Sequence, residues 1–136
     1  MSPLAERMWR FWFELWNQRA MDAMRQEMHP DWSQVDHRAL TDSGVTLSDW
    51  EELMRSWWEV APDLSAVAFE PLGEAGSHLA YHLLVSGHDT ISGGQIEATF
   101  YIVVEVRDDL LATADIFDNR KAALACFAAR TGLSSP

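Results

Sequence analysis

Pro62 divides the chain between two hydrophobic periods. Before it, large apolar residues recur at helical spacing; after it, they alternate as in strands. Trp9, Trp12 and Trp16, joined by Met8 and Leu15, mark one broad face of a first helix, with Ser2 as cap and Pro3 at the first helical position. Asn17-Gln18-Arg19 interrupts the pattern. A second short helix is predicted over Ala20 to Met28, ended by His29-Pro30. Asp31 to Ala39 reads as a strand, and Thr41-Asp42-Ser43-Gly44 as a turn. Ser48-Asp49-Trp50-Glu51 reads as a capping box opening a third helix that carries Trp50, Leu53, Met54 and Trp57.

Beyond Pro62, strands are predicted over Leu64 to Glu70, Leu79 to Ser86, Gln95 to Val106 and Leu110 to Phe117. Gly73-Glu74-Ala75-Gly76, Gly87 to Gly94, and Asp108-Asp109 punctuate them. Asn119 to Arg130 reads as a last helix, with Gly132 as its stop. The order implies one α+β domain spanning residues 1–136, with helices on one face of a mainly antiparallel sheet. Leu79-Ala80-Tyr81-His82-Leu83-Leu84-Val85 is apolar on both faces, so the face without helices is expected to meet a second copy, giving a homodimer.

A chain of 136 residues, 48% hydrophobic and 23% charged, can bury one good core. Its formal net charge of -11, without any basic cluster, excludes nucleic acid and anionic membrane as partners. The single Cys126 reads as a small core residue, and a reducing, cytoplasmic setting is expected. No Gly-rich phosphate loop is present, and no cofactor is expected. His78 and His82 lie four apart on a strand, a span of about 13 Å that is too long for chelation, so no metal is expected.

Asp36-His37-Arg38 brings acid, base and cation together among apolar neighbours. On a strand, Asp36 and Arg38 share a side with Trp32 and Gln34, while His37 points the other way. Two readings stay open: a proton acceptor with its charge stabiliser, or a structural ion pair at a strand end. Asp118 suits either a helix cap or an acid brought to a pocket. Tyr81 and Tyr101 can each donate to a ligand oxygen or pack at an interface.

The order of elements, with LWNQRAMDAM, SQVDHRAL and VVEVRDDLLATADIFDNRKAA at their places in it, resembles the SnoaL-like group of the nuclear transport factor 2-like superfamily. The resemblance implies a cone-shaped α+β barrel, its strongly curved, mostly antiparallel sheet wrapped around three N-terminal helices, plus a short C-terminal helix. It also implies a pocket between sheet and helices, and frequent dimers. The group holds ketosteroid isomerase, polyketide cyclases, scytalone dehydratase, limonene epoxide hydrolase and non-catalytic domains, so fold does not dictate function.

By the same resemblance, Asp36 falls where ketosteroid isomerase has its catalytic base. Trp12 and Ile102 stand where that enzyme has its oxyanion-stabilising tyrosine and second aspartate. Asp36, Arg38 and Asp118 could mimic the Asp-Arg-Asp set of limonene epoxide hydrolase, without matching its motif. The resulting expectation is an aromatic-lined pocket formed by Trp12, Trp32, Trp50, Met54, Trp57, Tyr81, His82, His88 and Ile102. Within it, Asp36, Arg38 and Asp118 would perform cofactor-free isomerisation, cyclisation or dehydration of an apolar, oxygenated, polyketide- or terpenoid-like molecule. The alternative is a non-catalytic ligand-binding or dimerisation module.

Overall fold

The computed structural model describes residues 1–38 and 45–132. Helix α1 (Pro3–Arg10) begins where Ser2 Oγ accepts the Ala5 N–H, as expected of a serine cap followed by proline. It runs on as a π-helical segment, Phe11–Trp16, in which the Asn17 N–H reaches back five residues to the Trp12 carbonyl. This wider winding differs from the regular helix expected. It buries Phe11, Trp12 and Trp16 together and leaves Trp9 half-buried, stacked on Phe13 at 5.1 Å.

Arg19 turns the chain with a left-handed backbone, and its guanidinium donates to the Pro62 and Leu64 carbonyls. Then come α2 (Met21–Glu27) and β1 (Met28–Asp36), which starts and ends three residues earlier than the strand read in the sequence. Ala39 and the expected turn Thr41-Asp42-Ser43-Gly44 lie outside the described residues. Helix α3 (Leu47–Val60) is capped by Thr46, not Ser48. Thr46 Oγ1 accepts the Asp49 N–H while Asp49 Oδ2 accepts the Thr46 N–H, so the reciprocal box closes before Ser48 can act as cap.

The remaining strands are β2 (Ser65–Ala75), β3 (His78–His88), β4 (Gln95–Arg107) and β5 (Leu110–Phe117), followed by α4 (Arg120–Thr131). β2 runs past its expected end at Glu70 and through Pro71. An edge strand tolerates proline, and the register shifts between Pro71 and Gly73 absorb it. Asp108 and Asp109 both take positive φ, the two-residue hairpin that matches strand twist. Asn119 Oδ1 accepts the Ala122 N–H to cap α4, and left-handed Gly132 ends it.

The sheet has the order β1-β5-β4-β3-β2: an antiparallel meander, to which β1 adds in parallel beside β5. It is an open sheet, not a closed barrel. Leu79, Tyr81, Leu83 and Val85 of β3 belong to the core shared with the N-terminal helices. Alternate residues face outward, where Ala123 and Phe127 of α4 pack on Ala80 and Val103. Helices were expected on one face only, leaving the other to a second copy; the chain's own last helix covers part of it. Gly73 makes room for the Phe127 ring, which a Cβ there would approach to 3.3 Å. No helix among the described residues is long and apolar enough to cross a membrane.

Candidate functional site

Between the helices and the inner face of the sheet lies a cavity of about 40 Å³. The π-helical segment supplies Trp12 to its wall. α3 adds Trp50, Met54 and Trp57 at i, i+4 and i+7, the spacing that aligns one helical face. β1 contributes Trp32 and Gln34, β3 Tyr81, and β4 Phe100 and Ile102. Of the residues singled out in the sequence, Trp12, Trp32, Trp50, Met54, Trp57, Tyr81 and Ile102 therefore surround one space. A space of this size holds a few water-sized groups. Aromatic rings occupy the rest, so a flat polycyclic guest does not fit the inner cavity as it stands.

The other two expected wall residues lie elsewhere. His82 follows the inward Tyr81, so strand alternation turns it outward, where it stacks on Tyr101 at 4.8 Å. His88 is exposed at the end of β3, its Nδ1 2.7 Å from Asp63 Oδ2 and its N–H donating to Asp63 Oδ1.

Among the described wall residues the polar groups are few and neutral. Trp12 Nε1–H donates to Tyr81 Oη at 3.1 Å. Burial pushes the Tyr81 phenol far above its ordinary range, against a smaller opposing effect of the Trp12 donor, so it stays a neutral hydroxyl. The Gln34 side chain is buried in the same wall. Trp32 is 7% exposed, and its indole N–H finds no acceptor among the described residues. An unpaired buried donor costs about 1–3 kcal/mol.

Asp36 is half-buried and Arg38 exposed, and the two are locked together. Arg38 Nε and its backbone N–H donate to Asp36 Oδ1, at 2.9 and 3.0 Å, and Arg38 Nη2 donates to Oδ2 at 2.7 Å. These hydrogen bonds hold the Asp36 carboxyl below its usual value, outweighing partial burial, and raise the Arg38 guanidinium in turn. A carboxylate with both oxygens so engaged is a poor proton acceptor until Arg38 lets one go. The guanidinium also lies 4.6 Å above the Phe100 ring, so the pair borders the cavity wall without lining it. Asp118 is exposed, close enough to Arg38 for their charges to interact, and accepts from Asn119 Nδ2. The helix cap is Asn119, because its side chain is the one that reaches the Ala122 N–H.

One cluster escaped the sequence reading. On the outer face, Asp115 is buried, with His37 Nε2 2.9 Å from Oδ1 and Arg130 Nη2 donating to Oδ2 at 3.0 Å. His37 also stacks on Phe117 at 4.5 Å. The group ties α4 to β5 and β1 around one buried charge. Burial raises the nearby Cys126 thiol, which marks it as unreactive. The available signal was the outward direction of both His37 and Asp115, but pairing them required knowing that Val35 of β1 lies beside Asp115.

No family model matches the chain, and no curated protein does. Solved structures do. A candidate SnoaL-like polyketide cyclase from Jannaschia sp. CCS1 is 18% identical at TM-score 0.71, covering 100% of this chain and 97% of its own. IdmH, a candidate polyketide cyclase from Streptomyces antibioticus, is 15% identical at TM-score 0.72, covering 91% and 98%. A hypothetical protein with a ketosteroid isomerase-like fold from Catenulispora acidiphila, solved in complex with trimethylamine, is 14% identical at TM-score 0.67, covering 99% of this chain and 97% of its own. The helices, the meander and the parallel first strand thus form the cone-shaped α+β fold shared by SnoaL-like and other nuclear transport factor 2-like proteins, here with an open sheet.

Proposed function

We propose that the chain binds an uncharged, mainly apolar small molecule in the cavity between helices and sheet, and holds an oxygen of that molecule by hydrogen bonds. The observation that carries this is the buried Trp32 ring in the cavity wall, whose indole N–H has no acceptor among the described residues, beside the neutral Tyr81, Trp12 and Gln34. A ligand oxygen would satisfy this donor, whereas a carboxylate would be desolvated against described wall residues that carry no cation. A polyketide- or terpenoid-like molecule has this character, in keeping with the candidate polyketide cyclases of the same fold.

Calorimetric titration with a straight-chain methyl ketone, the hydrocarbon of equal length and the corresponding carboxylate tests the reading. The ketone is expected to bind best, and Trp32→Phe to bring it down to the hydrocarbon, a loss of roughly tenfold for one hydrogen bond. Preferential binding of the carboxylate would overturn the proposal.

A second reading adds chemistry at the rim. Arg38 stacks on Phe100, a cavity wall residue, so Asp36 sits beside the site. If Arg38 swings away to hold a developing oxyanion, Asp36 gains a free oxygen to take a proton next to a carbonyl, and isomerisation, cyclisation or dehydration follows. Asp36→Asn is expected to lower such turnover about 10²-fold or more while leaving ligand affinity largely intact. Activity surviving that substitution sinks the rim mechanism but not the binding site.

Self-association through the outer face is proposed as well. Beyond α4 the face carries a half-exposed row, Tyr101 beside His82 and Phe117 beside His37, stacked in pairs. Light scattering is expected to give twice the chain mass at micromolar concentration, and a monomer there removes this proposal.

A further inference from the structure

An apolar groove of about 230 Å³ opens beside the last turns of α3. Val60, Ala61 and Leu64 form one side of it, and Ile96 and Ala98 of β4 the other. It shares Trp57, Val85 and Phe100 with the inner cavity, so these residues are a common wall with a chamber on either side. The core of that partition is a stack of two rings, Trp57 on Phe100, 5.8 Å apart and inclined by 20°.

The two rings differ in how firmly they are held. Phe100 is buried on a central strand and lies under the Arg38 guanidinium, which Asp36 grips at both oxygens. Trp57 is half-buried on the penultimate turn of α3, with the groove beside it. A rotamer change moves its ring without moving backbone, and takes place in the ps–ns range for exposed side chains. The groove wall is apolar throughout and includes Val60, which is 52% exposed without a partner to cover it among the described residues.

We propose that the ligand spans both chambers: Trp57 turns aside, a short oxygen-bearing head occupies the inner cavity, and an elongated apolar tail lies in the groove against Ile96, Ala98 and Leu64. The proposal rests on the inner cavity being the ligand site. The volumes decide the shape of the molecule. The inner space takes only a few heavy groups, while the groove is several times larger, so most of the ligand lies outside the partition. Among the described residues neither chamber has an ionisable wall group other than Tyr81, which favours an uncharged molecule.

The test is a calorimetric series of methyl ketones, from butanone to methyl nonyl ketone, against the full chain and two variants that fill the groove, Ala98→Trp and Ile96→Trp. In the unsubstituted chain, affinity is expected to rise about fourfold per added methylene well beyond the length that the inner cavity holds. Either variant should cost the longest ketone at least tenfold and leave butanone unchanged, which also shows that the variant is folded. A plateau at the shortest ketones, or variants that do not touch the long ones, overturns the spanning ligand while the inner site stands. If instead the variants change the mass of the particle in solution, with chain length irrelevant, the groove seats a second copy and the proposal is wrong. Absence of binding at every length removes the inner site and this extension together.

Discussion

Substituting Ala114 by leucine is expected to lower ketone affinity by 100-fold or more without unfolding the protein. Ala114 lies on β5 opposite Val104, with its methyl in the cavity wall. Three added carbon groups match the space of about 40 Å³ that stands open there, so the new side chain takes the place of the ligand head. Filling a void restores contacts that the wall atoms lack, and stability should hold or rise by about 1 kcal/mol. If the tryptophans formed a solid core, the same leucine would overpack it and destabilise by about 1–3 kcal/mol. Urea unfolding and ketone calorimetry on one preparation separate the two outcomes: a fall in both stability and affinity counts against a ready-made cavity.

The largest loss of stability is expected at Trp16. It is 0% exposed and is held on several sides at once. Its ring meets Trp12 edge-on at 5.5 Å and Trp58 at 5.4 Å, its Nε1 lies 3.1 Å from Met54 Sδ, and the Arg19 guanidinium stands 5.5 Å over it. Trp16→Ala removes these contacts and leaves a cavity that the surrounding helices cannot close, at about 3–5 kcal/mol. Domains of this size have about 5–15 kcal/mol in all, so the variant should be marginally folded at 25 °C. Its urea midpoint should fall steeply at unchanged slope, whereas Trp9→Ala, at a half-buried site on the same helix, should lose less than half as much. Equal losses at the two positions would mean that the π-helical winding does not sort the tryptophans as described.

What could be read from the chain follows from the range of the forces involved. The strand Leu110–Phe117 and the helix stop Gly132 are local in origin, set by alternation and by glycine's left-handed backbone, whereas the cap falls on Asn119 and not on the neighbouring Asp118. Helical spacing also brought Trp50, Met54 and Trp57 to one face. The shift into π winding at Phe11 escaped, because a widened turn hardly disturbs the recurrence of large apolar residues. β2 was cut short at Glu70 because Pro71 reads as a breaker until the strand is known to be an edge. Alternation put Asp36 and Arg38 on one side but could not show both carboxylate oxygens closed by one guanidinium, which depends on rotamers. For the same reason the spacing of the tryptophans indicates a shared space and leaves its volume open.

The parallel placement of β1 beside β5 also constrains how the chain can assemble. The strand that β1 joins in the sheet is made about 80 residues later, as in the pairing of Asp36 with Ile116, and closing so long a loop is entropically slow. The antiparallel hairpins of β2 to β5 need no such search and can form first. During synthesis β1, which carries Trp32, therefore waits without its neighbouring strand until the final third of the polypeptide has emerged. That interval is when non-native collapse and aggregation threaten most, and a chaperone that masks β1 would raise the yield of native protein more than one acting on the finished meander.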